Sequence, residues 1–126
     1  MRTLILATLV CTILTSPYFI PSYFFTNAIA NVVTGTGNVV QGSINNVQGY
    51  KNTAHGVGGV VNGYYNYIDG VYNVINGGSN KATGYGNNVN GYGNSANGIS
   101  NVASGYNNTI NGYSNSANGI SNVADG

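Results

Sequence analysis

Charge is what this chain most lacks. Only 4% of its 126 residues are charged, three Lys or Arg and two acidic residues, against roughly 25% in ordinary soluble domains. Phosphate backbones are gripped by clustered Lys and Arg, so nucleic acid is excluded as a partner. Trp is absent, and the single cysteine, Cys11, lies near the N-terminus. The long segment that follows has no Cys, so disulfides do not hold it together. Leu and Glu are both missing after residue 30, which removes two of the best helix formers. His55 is the sole histidine. With no carboxylate pair and no His/Cys cluster, the chain is not expected to be an enzyme, and neither metal nor cofactor is expected. The glycine-rich stretches lack the Lys-Ser/Thr of a phosphate loop.

Residues 1–30 read as a secretory signal peptide. Arg2 supplies a basic start, Leu4 to Leu14 an apolar run, and Ala28-Ile29-Ala30 a small-residue cleavage pattern. These are the three parts of a secretion signal. A spanning helix needs about 20 apolar residues, and Pro17 and Pro21 interrupt this stretch. The mature chain is therefore expected to be extracellular or at the cell surface, with no stable membrane insertion. Without Arg2 its side chains sum to zero, with Lys51 and Lys81 set against Asp69 and Asp125 and His55 neutral. Near-zero charge removes the repulsion that keeps molecules apart.

What is present is a heptad. Residues 31–126 divide without insertion into thirteen seven-residue units and a final five, beginning NVVTGTG, NVVQGSI, NNVQGYK and NTAHGVG. Position one is Asn in every unit except at Gly59. Position three is Val, Ile or Ala, position four is polar, and position five is Gly throughout, from Gly35 to Gly126. A fixed period of this kind marks a repeat architecture. A coiled coil needs apolar seams and tolerates no glycine in every turn, since each costs about 1 kcal/mol in a helix. Val, Ile and Tyr favour strands, whereas Gly and Asn suit tight turns.

The expected fold is all-β, a parallel β-solenoid with one domain spanning 31–126. Seven is odd, so an unbroken strand would switch faces from unit to unit. A turn in each heptad resets the phase, and successive coils stack at about 4.8 Å. The core ladder is then Val33, Val40, Val47, Ala54, Val61, Ile68, Ile75, Ala82, Val89, Ala96, Ala103, Ile110, Ala117 and Ala124. The Asn residues form amide ladders from coil to coil, and Gly at position five marks the corner.

Two coil lengths compete. Residues 87–105 return at 108–126 with four changes in nineteen, and Thr36, Val57, Gly78, Ile99 and Ile120 recur 21 residues apart. That suggests a three-sided coil of 21 residues, or duplication of a 21-residue genetic unit within a two-sided solenoid. A 14-residue coil sets large against small, pairing Val47 with Ala54, Ile75 with Ala82, and Ala103 with Ile110.

The runs Asn-x-Val/Ala-x-Gly and NSANGISNVASGYN resemble the heptapeptide repeats of bacterial haemagglutinins and invasins, which build the heads of trimeric autotransporter adhesins. The resemblance covers residues 31–126. It implies a left-handed β-roll with two heptads per coil, three chains together and display on a cell surface. It favours 14-residue coils over 21. The polar position four and the tyrosines at position six depart from that family's commoner units, and its coiled-coil stalk and membrane barrel have no counterpart in these residues.

The expected function is that of a secreted, self-associating structural protein in an extracellular fibre or matrix. The repeat runs to Gly126 without a polar cap, and bare strand edges template further pairing. Its partner would be itself, as filament or trimer. The alternative is a trimeric adhesin-head-like module binding a cell-surface or matrix ligand. The candidate contact strip is Tyr50, Tyr64, Tyr85, Tyr92, Tyr106 and Tyr113, all at position six; packing within the chain is the competing role. An ice-binding solenoid is a further alternative, but Thr34 and Thr36 are the only T-x-T of the repeat. In a 14-residue coil His55 stacks with Asp69, read as a surface pair rather than half of a catalytic relay. Asn107-Asn108-Thr109 is a glycosylation sequon.

Overall fold

The structure is a computed structural model, and it describes residues 31–126. The signal-peptide expectation for residues 1–30 lies outside the described residues. Each heptad makes one strand, and the strands are numbered β1 to β14 in chain order. One seven-stranded sheet holds β1 (Val32–Thr36), β3 (Asn46–Tyr50), β5 (Val60–Tyr64), β7 (Val74–Gly78), β9 (Asn88–Tyr92), β11 (Val102–Tyr106) and β13 (Ser116–Ile120). The other holds β2 (Val39–Ser43), β4 (Thr53–Val57), β6 (Tyr67–Val71), β8 (Lys81–Tyr85), β10 (Ser95–Ile99), β12 (Thr109–Tyr113) and β14 (Val123–Asp125). We call them the odd and even sheets.

Every pairing is parallel and joins a residue to the one fourteen further on, as in Val33 with Val47 and Val40 with Ala54. The coil therefore has two sides and 14 residues. The 21-residue similarity is not a coil. Thr36, Gly78 and Ile120 lie on the odd sheet while Val57 and Ile99 lie on the even one. That leaves the other reading of the similarity, a duplicated 21-residue unit within a two-sided solenoid.

Within a strand the side chains alternate, as the pleat requires. Position three faces inward, while positions two, four and six face out. The core is the position-three column of each sheet, from Val33 to Ala117, with Ala124 partly buried against it. Ile68, Ile75 and Ile110 are its largest members.

The Asn residues are buried too, but their ladder is not mainly amide to amide. Asn87 shows the pattern. Its side-chain Oδ1 accepts the backbone N–H of Asn101 at 3.0 Å, one coil on. Its Nδ2 donates to the carbonyls of Thr83 at 2.9 Å and Gly98 at 3.0 Å. The same bonds recur at Asn94. Direct amide–amide contacts join Asn73 to Asn87 and Asn94 to Asn108, each at 3.1 Å. The reason is local. Position one directly follows the left-handed turn, where its N–H bonds to an Asn Oδ1 one coil back, as that of Asn101 does to Asn87, and carbonyls such as those of Thr83 and Gly98 lie within reach of the amide; buried backbone groups need partners. A short amide at the turn reaches both kinds.

The corner also differs from expectation. Gly at position five lies within the strand, not at the turn. The turn comes at position seven, where the backbone is left-handed even at Ile44 (φ 59°), Tyr65 (φ 55°) and Tyr72 (φ 56°). Glycine at position five has another cause: close approach between coils. At Gly91, φ is +110°, and an added Cβ would meet the Gly105 carbonyl oxygen at 2.0 Å. No side chain fits there.

Candidate functional site

With the inner positions filled by apolar side chains and bonded amides, the surface that can act is the outer row of each sheet. The two rows differ in charge. On the odd sheet, positions two, four and six carry Val, Asn, Ser, Thr, Gln, Tyr, Gly and Ile, and no ionisable acid, lysine or histidine. On the even sheet the same positions hold His55, Asp69, Lys81 and Asp125. Lys51 sits on the turn after β3. A heptad read in isolation does not show this segregation, because it depends on whether the heptad number is odd or even.

The same alternation divides the candidate tyrosine strip. Tyr50, Tyr64, Tyr92 and Tyr106 stand on the odd sheet, while Tyr85 and Tyr113 stand on the even sheet. One strip of six is therefore not formed. All six are exposed, from 41% at Tyr92 to 67% at Tyr113. The odd-sheet column breaks at Gly78, and the Tyr64 ring leans across the gap; a Cβ on Gly78 would meet its ring. An aromatic ring covering a cross-strand glycine protects backbone that would otherwise be bare.

Position seven adds tyrosines that the strip did not include. Tyr65 meets Tyr50 edge to face at 5.7 Å and Tyr64 at 6.3 Å. Tyr72 meets Tyr85 at 5.9 Å. Lys51 places its Nζ 5.1 Å from the Tyr50 ring centre and 5.6 Å from that of Tyr65, a cation–π arrangement. A hydrogen bond to Tyr50, followed by charge interactions with Tyr50 and Tyr65, holds the Lys51 ammonium above its ordinary value of 10.5. Tyr92 and Tyr106 differ from these pairs: their rings stack at 5.4 Å with only 14° between planes. In such a stack each ring covers one face of the other. In this column the rings pack within the chain and remain half-exposed.

His55 and Asp69 are register partners on β4 and β6. The contacts they make involve Tyr67, whose ring lies 5.9 Å from that of His55 and whose hydroxyl donates to Asp69 at 3.4 Å. Among the described residues there is no group of three His, Cys, Asp or Glu side chains able to hold a metal. No helix among them is long and apolar enough to cross a membrane. Thr34 and Thr36 have Gln48 and Tyr50 as register partners, so the T-x-T does not continue into a rank. Asn107, the acceptor of the sequon, is exposed on a left-handed turn. The chain matches no protein-family model and no curated protein.

Proposed function

We propose that the chain is a secreted, self-associating structural protein, a subunit of an extracellular fibre or matrix. The observation that carries this reading is the outer face of the odd sheet, whose own positions two, four and six hold no charged side chain, although Lys51 reaches over Tyr50 from the turn after β3. This face is regular and rich in amides, with Val32, Val60, Val74 and Val102 at position two and tyrosines at position six. Seven strands at about 4.8 Å and five residues at about 3.3 Å give roughly 500 Å² per partner. Two such faces bury about 1,000 Å², near the lower limit of a specific interface. Face-to-face pairing alone is therefore weak, and strand-edge pairing would add to it. Apart from Gly59, the coils repeat the same Asn and Gly rungs, so one edge of the solenoid is complementary to the edge of another copy.

A second reading, a trimeric adhesin-head-like module that binds a cell-surface or matrix ligand, draws on the two-heptad coil that the haemagglutinin and invasin resemblance implies. The test is negative-stain microscopy with sizing on one purified sample, repeated for Asn62→Lys/Asn90→Lys on the odd face and Asn97→Lys on the even face. Filaments or sheets lost only with the odd-face lysines support the structural reading. Compact particles of trimer mass, indifferent to those lysines, overturn it in favour of the adhesin head.

A further inference from the structure

We propose that Tyr92 and Tyr106 form an oxidative cross-linking site, a pair joined as dityrosine by a haem peroxidase acting with hydrogen peroxide. The two residues are register partners on β9 and β11. Their backbones are held on fixed rungs: the Tyr92 carbonyl accepts the Asn107 N–H and the Tyr106 carbonyl accepts the Ser121 N–H, both at 2.9 Å. Their rings are nearly parallel at 5.4 Å, and both are more than two-fifths exposed. Shared register and near-parallel planes place the two phenol rings side by side on successive rungs. Among the described residues the other ring pairs between tyrosines meet edge to face. Tyr50 and Tyr64 are register partners as well, but Tyr65 packs against both and Tyr64 leans over Gly78.

The chemistry balances with one peroxide. Each phenol O–H gives up a hydrogen atom to the peroxidase, and the peroxide is reduced to two waters. The two phenoxyl radicals couple through carbons ortho to oxygen, forming one C–C bond. Each ortho hydrogen then moves to its oxygen and restores the phenol. The product has lost two hydrogen atoms overall. A radical on one ring meets its neighbour before it meets another molecule, since the second ring is held beside it; this is the advantage of a positioned partner over a free one. The pair's geometry carries the inference whether or not the chain forms fibres. In a secreted fibre the same bond would lock two successive coils together.

The experiment treats the dilute full chain with a haem peroxidase and hydrogen peroxide, isolates the monomer band on a denaturing gel, and measures its mass, dityrosine fluorescence and peptide map. The expected result is a monomer lighter by two hydrogens, with the link mapped between Tyr92 and Tyr106. Tyr92→Phe and Tyr106→Phe keep a stacked ring but remove the phenol, so each should abolish the link. Tyr113→Phe, at a more exposed tyrosine with no ring neighbour among the described residues, should leave it unchanged. Unfolding the chain in denaturant before treatment should reduce the yield at this pair to that of any other. An unmodified monomer, links scattered over all tyrosines, or a yield indifferent to Tyr92→Phe would each overturn the proposal. Association lost in the odd-face lysine variants with the intramolecular link retained would separate this site from the structural role.

Discussion

Placing asparagine at position 59 should stabilise the solenoid. Gly59 is the only position-one residue without an amide. On the other rungs the Asn Oδ1 takes the backbone N–H one coil on, as Asn45 does for Gly59 itself at 2.8 Å. With Gly at 59, no side chain is there to accept the N–H of Asn73, which is buried. The regular offsets would also direct the introduced amide to the carbonyls of Gly70 and His55. Satisfying a buried donor is worth about 1–3 kcal/mol, and each further bond about 0.5–1.5. Replacing Gly in extended backbone adds about 0.5–1 kcal/mol. The side-chain entropy and a tight Cβ, 3.0 Å from Asn45 Oδ1, subtract from this. That fit is tolerable, because Asn31 Oδ1 makes the same bond at 2.8 Å to Asn45, which carries a Cβ. The net expectation is about 2–3 kcal/mol, or roughly 10–20 °C in Tm for a domain of this size. Thermal melts and urea titrations of wild type, Gly59→Asn and Gly59→Ala check it. Gly59→Ala should capture only the backbone part, about 0.5–1 kcal/mol. If Gly59→Asn is no more stable than Gly59→Ala, the ladder of Asn side chains does not contribute as argued.

Three further expectations follow from the same geometry. Gly91→Ala drives a Cβ into the Gly105 carbonyl and should destabilise by about 3 kcal/mol or more. Gly86→Ala, with φ +64° and its nearest contact at 3.8 Å, should cost only the left-handed penalty of about 1–2 kcal/mol; urea midpoints of the two variants decide. Ile44→Asn should stabilise by roughly 1 kcal/mol, because a β-branched residue is strained in the left-handed region and Asn tolerates it, as Asn107 does at φ 54°; a melt that moves downward refutes it. Since Tyr50, and then Tyr65, hold the Lys51 ammonium above 10.5, its contribution is full below that pH and fades as pH rises through the folded value. The stability difference between wild type and Lys51→Met should therefore shrink when melts are taken at increasingly alkaline pH.

The sequence alone determined a good deal of this protein. A strict heptad with Gly at position five, small aliphatics at three and Asn at one is locally sufficient for strand, kink and turn, because each preference acts within a few covalent bonds. It named the whole core column from Val33 to Ala124 and required a turn in every unit. It left open whether two or three heptads close a coil, because closure is decided by packing between strands fourteen residues apart. Everything that depends on the odd–even alternation of a two-sided coil was hidden for the same reason. Only the tertiary structure separated Tyr85 and Tyr113 from the other position-six tyrosines, gathered the charged residues of the outer rows onto the even sheet and stacked Tyr92 on Tyr106. It also decided why position five must be Gly: the obstacle is a carbonyl one coil away, a neighbour in space that the chain's own order does not reveal.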